Sequence, residues 1–215
     1  MTTDWVIVGS GVQGRQIASA LLAAASAAGE RVLGFLDDDP DKQGRIVADL
    51  PIVGPLEWAR THGVPLKVAV ALGQSKTKRA VVARLRGMGD HLSFPPIIHP
   101  FSFIGPRVEL AEGVVVQAGT VMICDARVGE FTIVGAQSSL GHDARIGAYC
   151  FLSPGLRIAG YGCIGDDCTT GLNTCLLIVK MGNGSVSGAG AVLISDVPEG
   201  DIVVGVPARS IRKTP

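Results

Sequence analysis

A chain of 215 residues, 47% of them hydrophobic, has room for one large domain or two small ones and enough apolar material for a core. Nineteen basic residues balance nineteen acidic ones, eleven against nine before residue 98 and eight against ten from there on, so neither part reads as a nucleic-acid binder. No apolar run reaches the roughly 18 residues of a membrane span, Met1-Thr2-Thr3-Asp4 carries no basic leader, and five Cys argue against a disulfide framework; a cytoplasmic protein is expected.

Residues 5 to 14 read Trp-Val-Ile-Val-Gly-Ser-Gly-Val-Gln-Gly, an apolar strand entering a helix expected over about 13–28 and ended by Gly29. The loop Gly9, Ser10, Gly11, Val12, Gln13 and Gly14 has the Gly-x-Gly-x-x-Gly spacing that lets backbone N–H groups approach a phosphate at a helix N-terminus. A second strand over 31–36 ends at Asp37-Asp38-Asp39-Pro40, where an acid meets a ribose or base in nucleotide-binding folds. Asp37 or Asp38 is expected to take a ligand role, and Asp39 and Asp41 to lie in a solvated turn. A short strand at 51–53, a helix at 55–61, a strand at 67–72 and a helix at 76–86 follow. That last helix carries Val81, Leu85 and Met88 at helical spacing, and Lys76, Lys78, Arg79, Arg84 and Arg86 on what should be mostly a solvated face. Gly73 and Gln74 stand at the carboxyl end of a strand, the side that lines the ligand crevice of an open parallel sheet. Pro95-Pro96 is a junction, so residues 1–97 are read as a small Rossmann-like, nucleotide-binding α/β domain and 98–215 as a second domain.

From Ile98 to Leu176 the sequence repeats every six residues. The sixth positions are Ile98, Ile104, Leu110, Val116, Met122, Val128, Val134, Leu140, Ile146, Leu152, Ile158, Ile164, Thr170 and Leu176, thirteen of the fourteen large and apolar. Gly often follows, and the residue four further on is mostly small. A period of six fits neither an amphipathic helix nor an ordinary strand, but it fits a parallel β-helix, a β-solenoid in which three hexads close a triangular lap of 18 residues. After Leu176 the pattern continues one residue early at Met181, Ser187 and Leu193, which marks one irregular lap. Residues 196–209 read as a turn and strand that cap the open end. Cys150 and Cys168, one lap apart, should stack as reduced, inward-facing residues.

His142 stands out within the laps. Leu140 and Ala144 take the inward positions, so His142 should point outward from a flat β face, with Asp143 beside it. Gly160 lies one full lap on, and adjacent laps are spaced like neighbouring strands, about 4.8 Å, which puts its backbone amide close to the imidazole. A base and an unhindered N–H donor are two parts that acyl transfer requires. A catalytic metal is not expected, because zinc wants at least about three protein ligands and His142 is alone on these laps. Ser138 points inward, so direct transfer is favoured over an acyl-serine. Val115, Val121 and Ile133, apolar at outward positions, suggest self-association, and a closed cyclic trimer suits a triangular prism.

Taken together, Gly9-Ser-Gly-Val-Gln-Gly14, Gly34-Phe-Leu-Asp-Asp38, Ala71-Leu-Gly-Gln74, Ser138-Ser-Leu-Gly-His-Asp143, Ile146-Gly147, Ser153-Pro-Gly155 and Gly205-Val-Pro-Ala208 resemble the bacterial nucleotide-sugar N-acetyltransferases of the left-handed β-helix, hexapeptide-repeat superfamily. That family includes sialic-acid O-acetyltransferase-like proteins and enzymes acetylating 4-amino-4,6-dideoxy sugars for surface polysaccharides such as the O-antigen of lipopolysaccharide. The resemblance implies an N-terminal domain that holds the sugar nucleotide and a left-handed β-helix that holds acetyl-CoA in a groove between subunits of a homotrimer. It implies His142 as general base, Asp143 as its orienting partner and the Gly160 N–H as oxyanion donor. Arg209 is a candidate contact for the cofactor's phosphates, with Arg212 and Lys213 beside it. Phe151 departs from the pattern, since some relatives carry a second His there. Overall similarity favours GDP-perosamine as the substrate, while nothing in the residue pattern separates guanine from uracil.

Three rivals remain. A UDP-linked amino sugar or a sialic-acid hydroxyl would use the same base. A nucleotide-sugar-binding scaffold would bind but release no thiol from acetyl-CoA. An NAD-dependent oxidoreductase is suggested by the glycine loop and Asp37, but about 97 residues make only half a dinucleotide fold.

Overall fold

The computed structural model describes residues 4–211, which divide into two compact units, one up to Pro100 and one from Phe101 on.

In the first unit β1 (Asp4–Val8) leads through a glycine loop into α1 (Val12–Ala28) and returns as β2 (Val32–Leu36). Then come β3 (Ile46–Val47), β4 (Leu50–Gly54), a single turn of helix α2 (Trp58–Thr61), β5 (Leu66–Val70), α3 (Ser75–Arg86), β6 (Leu92–Ser93) and β7 (Ile97–Ile98). The sheet order is β3-β4-β2-β1-β5-β6. All pairs are parallel except β3–β4, a hairpin turned by Ala48 and Asp49, both with positive φ. A two-residue loop of this kind, with φ > 0 at both central positions, is usually advertised by Asn-Gly or Asp-Gly; Ala-Asp does not do so, and β3 carries no mark in the sequence. Strand β1 is flanked by β2 on one side and β5 on the other. The chain therefore leaves β1 in opposite directions, and the crevice outside the carboxyl ends of β1, β2 and β5 is the place where such sheets take ligands. Gly29 ends α1 in the left-handed conformation, its N–H and that of Glu30 closing onto Ser26 and Ala25 carbonyls. The solvated face expected for α3 has one exception: Lys78 is fully buried, while Val82 and Leu85 supply the apolar contacts.

In the second unit two-residue strands recur every six residues and pair in parallel with the strand one lap away. Ile104, Met122, Leu140, Ile158 and Leu176 form one such ladder, and Val128, Ile146 and Ile164 another. The large side chains of the repeat point inward: Val134, Leu140 and Leu152 are fully buried, and small residues such as Ala144, Cys150 and Cys168 fill the spaces beside them. Both of those cysteines are free thiols. The laps bend at two-residue corners through residues with φ > 0; Arg107, Asp125, Asp143 and Tyr161, each one lap from the next, have φ of 56°, 55°, 58° and 62°. The irregular lap lies where the repeat slipped: Ile164 pairs with Met181 and Leu176 with Leu193, seventeen residues apart, because the corner is shortened by a bond from Val179 N–H to the Leu177 carbonyl. The end is closed by the strand Ile202–Val204, parallel to Val186–Ser187, with Arg209–Ser210 folded back antiparallel on it.

Two of the outward apolar positions behave differently from expectation. Val115 and Ile133 are already buried within the single chain, so they form no exposed apolar face. Exposed apolar residues lie elsewhere, among them Phe101, Phe103, Leu172, Ile178 and Val206, and also Ile123, Leu177 and Ile194, which share one corner column with Gly141 and Ala159 between the first two. Among the described residues no helix is long and apolar enough to cross a membrane.

Truncating one inward side chain tests the stack. Leu152→Ala should lower the stability of the coiled unit by about 2–5 kcal/mol, measured as a shift in its urea unfolding midpoint; an unchanged midpoint would mean the laps are not held by their interior.

Candidate active site

In the first unit the crevice is a cleft of about 440 Å³ lined by Gly9, Gly11, Val12 and Gln13 of the loop, Asp37 and Asp38 after β2, and Gly73 after β5, with Lys42, Leu56, Thr77 and Val81 closing the rest. Gly11 and Gly14 have different reasons to be glycine. A Cβ on Gly14 would lie 2.1 Å from the Gly9 carbonyl, so that residue is small because the helix packs on its own loop. Nothing lies within 4 Å of a Cβ built on Gly11, so nothing within the chain requires a glycine there, whereas a ligand approaching the backbone at the start of α1 would.

Ser10 and Gly14 sit behind the lining. Ser10 is buried, and both its N–H and its hydroxyl donate to Asp37 Oδ2, at 3.0 and 2.5 Å. The Asp39 N–H donates to the other oxygen at 3.1 Å, and Lys42 Nζ lies 3.1 Å from Oδ2. Burial pushes the Asp37 carboxyl up, but the Ser10, Asp39 and Lys42 donors outweigh it and hold it down at about 2. Asp38, also in the lining, accepts from the Leu56 N–H at 2.7 Å and pairs with Arg84 at 2.6 Å. Gln74 is exposed at the start of α3, outside the lining, with the Thr77 hydroxyl 3.4 Å from its side-chain oxygen.

In the second unit His142 and Asp143 occupy a corner of the lap between the strands Ser139–Leu140 and Arg145–Ile146, not a flat face. Asp143 turns the chain there through its left-handed backbone. Its Oδ2 lies 3.0 Å from His142 Nδ1. A carboxylate only accepts, so Nδ1–H donates, and in the neutral ring Nε2 keeps its lone pair. The Gly160 Cα stands directly against that nitrogen, since a Cβ there would lie 2.4 Å from Nε2. At equivalent corners the amides of Ala148 and Asp166 are covered by the side chains of Asp166 and Asn183 one lap on. One lap beyond Gly160 comes the exposed Ile178, which has no acceptor to offer, and among the described residues none meets the Gly160 N–H. Cys124 precedes His142 by one lap; a hydrogen bond to Asp125, with burial, pushes its thiol up, so it is no ready nucleophile. Asp125 in turn is held by Arg107 through two bonds of 2.6 and 2.7 Å. Ser138 is buried and donates to the Gly135 carbonyl. Arg209 is exposed on the terminal cap, in the part of the chain that bonds to Val192, three laps from Leu140. Arg212 and Lys213 lie outside the described residues. Among the described residues no cluster of three or more metal-binding side chains occurs.

Reasoning from sequence missed Lys42, Leu56, Thr77 and Val81 in the cleft, the Asp38–Arg84 pair, and Tyr161, whose ring stands edge-on to the His142 imidazole with centroids 5.0 Å apart. Only Tyr161 had left a signal, being one lap beyond Asp143.

No family model matches the chain. Among solved structures it is similar to a variant of perosamine N-acetyltransferase from Caulobacter crescentus in complex with CoA and GDP-perosamine, with 28% identity, 99% of each chain covered and a TM-score of 0.88. It is also similar to the acetyltransferase domain of PglB from Neisseria gonorrhoeae in complex with acetyl coenzyme A, at 26% identity over 98% of this chain and 100% of that one, with a TM-score of 0.86. A curated relative, the bifunctional protein GlmU of Rubrobacter xylanophilus, is 39% identical over 115 residues, 45% of this chain and 25% of the relative. The chain spans less than half the length of the curated relatives it matches. Its second unit is a left-handed parallel β-helix built from hexapeptide repeats, the fold these acyltransferases share. Over its whole length it is similar to the nucleotide-sugar acetyltransferases within that class.

The Asp37 cluster sets an acid limit. Its carboxyl is 13% exposed and its folded pKa lies below the unfolded one, so the stability it contributes is complete above about pH 4 and is lost as pH falls through about 2. Asp37→Asn should cost roughly 2 kcal/mol at pH 7 and only a few tenths of that near pH 2, read from denaturant midpoints across that range; equal losses at both pH values would contradict the assignment.

Proposed function

We propose that the chain transfers the acetyl group of acetyl-CoA to the 4-amino group of a nucleotide-linked 4-amino-4,6-dideoxy sugar, GDP-perosamine being the first substrate to test. The observation that carries this reading is the corner where a histidine held by its neighbouring aspartate packs against the Gly160 Cα one lap away, beside an amide that no described residue covers. The Gly11 opening and the free amides at the start of α1 suit a diphosphate, and Asp37 with Lys42 suits the ribose beside it.

The chemistry is a single displacement. The neutral amine attacks the thioester carbonyl carbon while its proton passes to His142 Nε2, which Asp143 has left as the acceptor. Charge gathering on the carbonyl oxygen is met by the Gly160 N–H. The carbon–sulfur bond then breaks, and His142 returns the proton to the departing thiolate, giving the N-acetyl sugar and free CoA. A positioned base contributes roughly 10²- to 10⁴-fold and one oxyanion donor about 10²- to 10³-fold. The alternatives, a UDP-linked sugar or a hydroxyl acceptor, would use the same corner. We place the reaction in the cytoplasm.

We assign the chain to a homotrimer on the apolar column Ile123, Leu177 and Ile194, which adjoins the column of His142 and Gly160. Sedimentation should give about three times the 22.2 kDa chain mass; a monomer would contradict it. Thiol release from acetyl-CoA should depend on the amino sugar, and His142→Asn should lower kcat by at least about 10²-fold with little change in sugar-nucleotide affinity. A variant with wild-type kcat would remove His142 from the mechanism.

A further inference from the structure

Tyr161 is an aromatic residue that packing does not explain. Phe131 and Tyr149 also occupy left-handed corners, but they are buried and stacked on each other at 5.5 Å. Tyr161 is 59% exposed and still adopts φ of 62°, a conformation costly for a bulky side chain and easy for Gly or Asn. What its ring does touch is His142, at right angles, while its N–H bonds the His142 carbonyl at 2.9 Å.

We propose that Tyr161 is a positioning residue: its ring blocks the swing of the imidazole that the Asp143 bond alone would permit, holding Nε2 against Gly160. A single hydrogen bond at Nδ1 leaves the imidazole free to tilt about that contact. Gly160, having no side chain, opposes the tilt only where its Cα meets the ring, and the Cys124 corner lies on the far side of the ring's own lap. The ring of Tyr161 is the bulky group beside the imidazole, and edge-to-face contact at this separation is attractive as well as obstructive. This rests on His142 acting as the base, and it adds that the rate depends on an aromatic ring that need not touch substrate.

Three variants separate the possibilities. Tyr161→Phe keeps the ring and should hold kcat within about twofold. Tyr161→Asn should lower kcat by roughly 10- to 10²-fold at nearly unchanged KM for the sugar nucleotide, without lowering Tm, because Asn accepts the left-handed backbone. In a spectrum of protein labelled at the four histidine rings, the signal missing from His142→Asn identifies His142; that signal should move in Tyr161→Asn and stay in Tyr161→Phe. Wild-type kcat in Tyr161→Asn, an equal loss in Tyr161→Phe, or a loss accompanied by a lowered Tm and an unmoved His142 signal would each overturn the proposal. If His142→Asn is crippled while Tyr161→Asn is not, the positioning role alone fails; if neither loses activity, the acetyl-transfer mechanism fails with it.

Discussion

The repeating strands of the coiled unit are two residues long, far too short to persist alone, and are held by N–H and C=O groups that pair with the laps on either side. That pairing fixes one offset, eighteen residues, through most of the unit. A slip of one residue would carry the apolar ladder out of the interior, so the register is enforced by burial. With the offset fixed, residues far apart in the chain become neighbours in a column, and the chemistry of each corner is written by whichever residues share it. One column reads Cys124, His142, Gly160 and Ile178; the next reads Arg107, Asp125, Asp143 and Tyr161. The acetyl-transfer reading rests on these two adjacent columns.

The period makes much of this unit legible in the sequence. The inward ladder, the place of the seventeen-residue lap and the meeting of His142 with Gly160 all follow from counting in sixes. The shape of the corner does not. A repeat gives spacing but not the backbone angle at each step, so the αL turn at Asp143 and the edge-on Tyr161 are visible only in three dimensions. Outward positions mislead for a related reason: Val115 and Ile133 are outward in the lap yet buried in the chain, which no local pattern can tell.

In the first unit the glycine loop and the strand ends are legible because parallel sheets place ligands at one edge by topology. Its side-chain network is not. The inward grip of Ser10 on Asp37, the burial of Lys78 and the pairing of Asp38 with Arg84 join residues at separations that carry no period. The two acids adjacent in sequence also differ in environment, Asp37 being enclosed by donors and Asp38 half-exposed beside a guanidinium. The cleft thus presents two ion pairs, Asp37 with Lys42, its carboxylate largely enclosed, and Asp38 with Arg84, more exposed.

An experimental structure with acetyl-CoA bound tests the His142–Gly160 corner most directly. The thioester oxygen should lie within about 3.1 Å of the Gly160 nitrogen, with the carbonyl carbon open to a nucleophile that His142 Nε2 can reach. A thioester seated at a different corner, or a Gly160 amide turned away from it, would contradict acetyl transfer at this site.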